Sequence, residues 1–394
     1  MRYDLPTEVS VRNEAVIQQV MNDTVKRPAA RVEFVPYGGT GIDLEFVSFA
    51  INQQSGTTDS FTVTFTGTEA FWESWQMRAI ASGGRGDRFN FFVTFAGQEF
   101  KIFEGFPDGR KDTWPPPEPG PDGWKGGDDP VTLSGLGLLG LLRTVSGAYC
   151  GAGDEPIPYT GFLLDLIRYF PSKAGLGRAI IDFGVGYGSW RVTEPREVAY
   201  SDGFQAFTAI VRNIYPAALI WITRGGQVRA RMRRPNSYDK SIFNYSDVYE
   251  EEEKGKARIM AFERTWRISD VITRCMIIWS DGAKVVEDSS LKVKFGLKTH
   301  TVDLPWITHE WDAYNAAQGI ITEYNRWQVG ITATINPYLE IGSVIRIHPR
   351  LGRSAAAKSV EVIGRAINIS IKEGAVSMDE RLTCRALEEG QAWA

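Results

Sequence analysis

Residues 311–348 read WDAYNAAQGIITEYNRWQVGITATINPYLEIGSVIRIH. Trp311, Tyr314, Ala317, Ile320, Ile321, Tyr324 and Trp327 recur three or four apart, which places one apolar stripe along a helix. Thr308 stands where an N-cap is needed, and Glu310 falls in the positive first turn. After Trp327 the period changes to two. Val329, Ile331, Ala333 and Ile335 share one face, with Thr332 and Thr334 on the other. Asn336-Pro337 stops the run and turns the chain, and Gly342 opens a second strand that ends before Pro349. Helix, strand, tight turn, strand is a structural module with no catalytic pattern in it.

The same alternation extends outward. Val360 to Ile371 and Val376 to Leu387 form a hairpin about Glu373-Gly374. Phe61, Val63 and Phe65 alternate with Thr62, Thr64 and Thr66, a half-buried strand. Phe89 to Phe95 and Glu99 to Phe106 pair across Ala96-Gly97, and Glu69 to Ala81 reads as a short helix. Asp112 to Pro130 holds six prolines and four glycines, and reads as a surface insertion able neither to pair nor to wind. Helices at Phe162 to Phe170, stopped by Pro171, and at Gly203 to Tyr215 precede a hairpin at Leu219 to Met232. The chain thus divides into an N-terminal arm (1–30), a β-barrel (31–150) with the loop 112–130, an α+β insert (151–245) and a second β-barrel (246–394). The fold class is β-rich α+β.

Aromatic residues make up 12% of the chain, with 40 glycines, which favours short strands and many turns. A net charge of −4 gives no electrostatic case for sequence-specific nucleic-acid binding. The run Leu133 to Leu142 is too short for membrane insertion, and the charged N-terminus lacks the apolar centre of an export signal, so a chain made in a cytoplasm is expected.

Residues with chemical potential lack the spacing that chemistry needs. Cys150, Cys275 and Cys384 lie more than a hundred residues apart, as buried thiols do. His300, His309 and His348 fit no ligand motif, so neither metal nor cofactor is expected. The run from Gly184 to Ser189 breaks the dinucleotide fingerprint, because serine takes the last glycine position and no helix follows. Asp182, Asp202, Glu263 and Asp270 are candidate carboxylates by position only. Arg229, Arg231, Arg233 and Arg234 alternate on a strand. They read either as a solvated edge or as a docking surface for an acidic partner, such as the run Glu250 to Glu253.

The element order resembles the central baseplate-hub proteins of phage tails and related injection systems. Gly86-Asp87-Arg88-Phe89 and Phe103-Glu104-Gly105-Phe106 resemble strands of their tube-like domain. Val131-Thr132-Leu133-Ser134-Gly135 leads to a helix at Leu136 to Leu142 as in that family, and the helices around Phe162 and Phe204 resemble its inserted part. The stretch 311–348, with Leu339, Gly342, Ile345 and Ile347 at matching intervals, is similar to its second tube-like barrel. The resemblance implies two tail-tube-like antiparallel β-barrels with an inserted α+β domain. It further implies a non-enzymatic homotrimer in the virion tail. That ring would join the sixfold tail tube protein to the threefold central spike protein, with the tape measure protein a further partner, and leave an axial channel for DNA.

Strands 61–66 and 89–95 would leave long edges in a lone monomer. Closing them between subunits places Thr62, Thr64, Asn90 and Thr94 at a subunit or channel interface. The rival reading is a carbohydrate-binding or carbohydrate-active protein, suggested by 12 tryptophans. Trp72, Trp75, Trp266, Trp306, Trp311 and Trp327, however, sit beside periodic apolar positions and read as core.

Overall fold

The computed structural model describes residues 29–65, 86–95, 97–112, 118–120, 123–125, 131–151, 155–183, 191–232, 243–246, 257–265, 267–348, 358–372 and 375–387. The expected helix 69–81, the linker 233–240, the glycine-rich turn at 184–189 and nearly all of the N-terminal arm lie outside these residues.

The N-terminal part opens with β1 (Ala29–Val35), β2 (Ile42–Leu44), β3 (Ser48–Gln54), β4 (Ser60–Phe65), β5 (Arg88–Phe95) and β6 (Gln98–Asp112). A small ribbon, β7 (Glu118–Gly120) with β8 (Gly123–Lys125), precedes β9 (Val131–Gly137). That ribbon corrects the expectation that the proline-rich segment cannot pair. Each strand of a two-stranded ribbon has a free side, which is where a proline such as Pro119 is tolerated.

The strand β6 is bent. Its first half pairs with β5 up to Gly105, and its second half pairs with β9 from Gly105 to Asp112. The sheet order is β5-β6-β9-β4, yet the rings of Phe61 and Phe91 lie 5.0 Å apart. Strands three places apart in a flat sheet would be separated by about 14 Å. The sheet therefore folds over, and the alternating phenylalanines of both leaves meet in one core. At Gly135 an added Cβ would come 2.1 Å from the backbone oxygen of Phe106 and 2.3 Å from the Phe61 ring. Backbone cannot yield as a side-chain tip can. Gly135→Ala is expected to lower stability by about 2–3 kcal/mol in denaturant titration; a loss below about 0.5 kcal/mol would show that β9 shifts freely.

A 3-10 helix, Leu138–Thr144, leads into the middle segment. There β10 (Gly147–Ala148) pairs with β14 (Ala199–Tyr200), and β11 (Tyr159–Phe162) with β13 (Arg191–Arg196). A three-stranded sheet follows the order β12 (Ile180–Phe183), β16 (Val228–Met232), β15 (Leu219–Ile222). Helices α1 (Leu163–Lys173) and α2 (Gly203–Ile214) bury one face each in a second core. Pro171 lies inside α1 rather than ending it. It sits in the last turn, where its fixed φ suits the helix and little of the ladder remains to be broken.

The C-terminal part comprises β17 (Phe243–Ser246), β18 (Ala257–Thr265), β19 (Arg274–Trp279), β20 (Gly282–Glu287), β21 (Thr299–Asp303), β22 (Gln328–Ala333), β23 (Val344–His348), β24 (Lys358–Lys372) and β25 (Ala375–Ala386). Six of these close into a barrel in the order β24-β23-β17-β18-β22-β25, with β25 returning to β24. Between β18 and β22 the chain builds a separate layer. The sheet β20-β19-β21, with α3 (Ser289–Phe295) between β20 and β21, carries α4 (Glu310–Tyr324) on its own core of Cys275, Ile277, Ala313, Ala317 and Ile320. The helix expected from 311–327 is thus present, but it packs on this layer and not on the barrel.

His309, not Thr308, is the N-cap residue of α4. Its buried stripe is Ala313, Ala316, Ala317, Ile320 and Ile321, whereas Trp311 is 69% and Tyr324 52% exposed. Alanines let the helix lie close to the sheet, and close approach pushes the bulky aromatics to the rim. Trp311 stacks there on Tyr314. Arg196 holds the layer to the middle segment through the carbonyl of Pro305 and the hydroxyl of Ser280, and the Trp306 indole N–H donates to Tyr200.

The two β-rich parts are joined edge to edge. Residues 364–370 of β24 pair with 48–54 of β3, so one 13-stranded sheet runs through both. Their inward residues form one core, from Val32 to Cys384.

Candidate functional site

The join between β3 and β24 produces one continuous outer face. Residues directly opposite in an antiparallel sheet point to the same side. One row runs Ser377, Ser370, Ser48, Thr64, Thr132 across β25, β24, β3, β4 and β9. The next runs Asp379, Asn368, Ala50, Thr62, Ser134, and the third Arg381, Ala366, Asn52, Ser60 and, on β9, the partly buried Leu136, where the small polar surface ends. Lys111 continues the first row onto β6 by register. Small hydroxyl, amide and methyl groups therefore cover five strands of both β-rich parts. Asp379 and Arg381, 3.9 Å apart, stand at one end. The Thr64 and Thr132 hydroxyls share a hydrogen bond across strands, and Asn368 donates to Asp379. None of the row positions on β25, β24, β3, β4 and β9 is buried, while Phe49, Ile51, Phe61, Val63, Ile367 and Ile369 on the reverse are.

Of the four residues expected at an interface, Thr62 and Thr64 lie on this face and Asn90 and Thr94 do not. The latter pair stands on the other leaf, across the phenylalanine core. There Asn90 donates to Glu33, Arg31 pairs with Asp43 and Glu99, and Glu104 with Arg88 and Lys101. The expectation that strands 61–66 and 89–95 offer free edges is also corrected. β4 is paired by β3 and β9, and β5 by β1 and β6, so both are interior strands. The bend in β6 lets one strand flank both β5 and β9, while β1 and β3 cover the far sides of β5 and β4, and strand alternation alone does not reveal these pairings.

The arginine cluster is likewise corrected at its best-placed member. Arg231 is 6% exposed on β16, the central strand of its sheet, and pairs with Glu361 of β24. Arg385 takes the other oxygen of Glu361 at 2.8 Å and reaches Glu323 at 3.2 Å, and Arg326 pairs with Glu323 at 2.7 Å. Arg231 therefore ties the middle segment to the barrel and is not available for docking. Arg233 and Arg234 lie outside the described residues, and Arg229 is half-buried on the same strand.

Two further charged features sit where the parts meet. The Arg365 side chain bonds the Glu380 carboxylate, the Leu339 carbonyl at 2.9 Å and the Asn336 carbonyl at 2.8 Å. Glu380 in turn accepts from the Asn336 backbone N–H at 3.0 Å. The Asn336-Pro337 turn, legible in the sequence, is held by this pair, which is not. Burial pushes the Glu380 carboxyl up, and Arg365 pulls it partly back. Asp59 is 3% exposed beside a cavity of about 30 Å³ lined by Lys101, Glu104, Arg224, Glu340 and Arg365. Its closest side-chain donor is Gln53 Nε2 at 3.4 Å, and burial raises its carboxyl to about 7.

The candidate carboxylates are dispersed. Asp202 caps α2 by accepting from Gln205 N–H, Asp182 lies on β12, Glu263 on β18 and Asp270 in a short 3-10 turn. Among the described residues no three His, Cys, Asp or Glu side chains converge as metal ligands, and no helix is long and apolar enough to cross a membrane.

No protein-family model and no curated protein matches the sequence. Solved structures do. The tail protein from Neisseria meningitidis MC58 aligns with a TM-score of 0.58 at 13% identity, over 91% of this chain and 96% of its own. The 43 kDa tail protein of prophage MuSo2 from Shewanella oneidensis gives 0.56 at 11%, over 91% and 98%. The E. coli c3393 protein, a type VI secretion component with similarity to T4 tail proteins gp27 and gp5, gives 0.51 at 8%, over 90% and 76%. At such identities the likeness concerns the fold, and the fold of this chain is the one shared by these phage tail proteins and the type VI secretion component.

Proposed function

We propose that this chain is the structural hub of a tail baseplate. Three copies form a ring in which residues 31–150 and 246–394 act as two tube-like barrels, so that six barrels meet a sixfold tube on one side. A threefold spike docks on the other side, residues 151–245 form the α+β insert apart from β17, which pairs within the second barrel, and the tape measure protein is a further partner. The ring sits in the virion tail and leaves an axial passage for DNA.

The observation that carries this reading is the continuous face of small, mostly uncharged side chains spanning both β-rich parts. Such a lining offers a phosphate backbone few cations, so few ion pairs must break as it moves. The carbohydrate reading is weaker, because Asp202 is engaged in capping α2 and Trp306 is buried in the second core. Analytical ultracentrifugation should give three times the monomer mass. A protein that stays monomeric throughout the micromolar range would rule the ring out.

A further inference from the structure

The short turn between β3 and β4, residues 55–59, ties all three parts of the molecule together. The backbone N–H of Ser55 donates to the Ile363 carbonyl of β24 at 2.9 Å. The N–H of Gly56 donates to the Ile220 carbonyl of β15 at 3.0 Å, and the N–H of Ile220 donates to the Ser55 hydroxyl at 3.0 Å. β15 is an outer strand of its sheet, so the turn satisfies groups on the flank that β16 does not reach. Arg212 of α2 reaches the Gly56 carbonyl at 3.4 Å, and Arg143 the Thr58 hydroxyl at 3.2 Å. The Gly137 N–H donates to the Asp59 carbonyl at 2.7 Å. Gly56 has a φ of 70°, and an added Cβ would come 2.0 Å from the Arg212 guanidinium, so the seat of the turn is closely fitted.

Asp59 closes this turn, and its side chain is poorly served. Gln53 Nε2 at 3.4 Å and a backbone hydrogen bond from Gln54 are its donors, and no cation among the described residues pairs with it. Lys101 and Glu104 from β6, Arg224, Glu340 and Arg365 are the charged groups around the cavity beside it, and Arg365 is already committed to Glu380. The space of about 30 Å³ has room for a water or two and no more. A neutral acid tolerates such a place, and a carboxylate does not. Burial accordingly holds the Asp59 carboxyl up at about 7. Above that pH any state in which the carboxylate meets water is favoured, and lifting a five-residue turn supplies one without unpairing a strand.

We infer that the turn 55–59 is a pH-sensitive latch. With Asp59 neutral it clips the middle segment and β24 to the N-terminal part; with Asp59 ionised it releases Ile220 and Ile363 while the sheets stay paired.

Amide hydrogen exchange of the full chain and of its Asp59→Asn variant tests this, with the two proteins compared at one pH so that intrinsic rates cancel. At pH 4 the amides of Ser55, Gly56 and Ile220 should exchange alike in both. At pH 8 they should exchange at least about tenfold faster in the wild type, while the amides of β22 show no such difference. Equal rates at pH 8 would overturn the latch. An acceleration shared by β22 would overturn it too, because it would report unfolding of the whole chain.

Gly56→Ala gives an independent arm, since it spoils the seat of the turn without touching the carboxyl. The same three amides should then exchange fast at pH 4 as well as at pH 8, relative to the wild type at pH 4 after correction for intrinsic rates. Continued protection of Ile220 in that variant at pH 4 would show that the turn does not hold the middle segment, and would count against the latch.

Discussion

Arg365→Ala should destabilise the protein by about 3–5 kcal/mol, the range for breaking a buried ion pair from one side. Glu380 is fully buried, so it would keep its desolvation penalty without the guanidinium that offsets it. The carbonyls of Asn336 and Leu339 would lose their donors as well. Three bonds from one planar fork also make lysine a poor replacement, since it has a single nitrogen. Arg365→Lys should therefore recover less than half of the loss. The double variant Arg365→Met, Glu380→Leu removes both charges together and should be more stable than the single alanine variant. Denaturant midpoints decide the matter. A loss below about 1 kcal/mol for Arg365→Ala would mean that the turn at Asn336-Pro337 stands without the pair.

Asp59→Asn should have the opposite effect, and one that depends on pH. The folded-state carboxyl is raised to about 7 from an ordinary value of 3.8 by burial beside the junction cavity. The folded protein then holds the proton more tightly than the unfolded chain does. Stability from this group is complete below about pH 4, falls as pH rises towards 7, and is level above that. A difference of about three pH units corresponds to on the order of 4 kcal/mol. Asparagine has nearly the same shape and cannot ionise. At pH 8 it should raise stability by up to that amount, while at pH 4 it should give no gain.

The charged groups lining the cavity are Lys101 and Glu104 from β6, Arg224 from the β15–β16 turn, Glu340 from the turn before β23, and Arg365 from β24. Unfolding curves of both proteins from pH 4 to 8 are the measurement. Parallel pH profiles would show that Asp59 stays charged at a site wetter than its burial implies.

Much of the β framework was legible because a half-buried strand writes its period directly into the chain. Phe61, Val63 and Phe65 alternate with Thr62 and Thr64, and the buried and open faces follow. The helix of 310–324 was equally legible as a helix. Its partner was not, because an apolar stripe says that something is covered and not by what. The alanines beside Trp311 and Tyr324 decided which part of the stripe could approach a sheet.

Site assignments fared according to the same distinction. Residue types and faces are local properties, so alternation marks the Thr62 and Thr64 side of β4 as its polar side. Whether a strand is an edge is not local. It depends on pairings made far along the chain: β3 and β9 flank β4, and β1 and β6 flank β5. The arginines of β16 show the same limit. Alternation marks them as sharing a face, but 130 positions separate Arg231 from Glu361, its buried partner. By itself the sequence determined the period of each strand, the Asn336-Pro337 turn and the small polar residues of the open face, since each follows from a few neighbouring side chains. Only the tertiary structure decided that β24 joins β3 to make those faces one surface and that Arg365 and Glu380 hold the turn, because these depend on contacts between residues far apart in the chain.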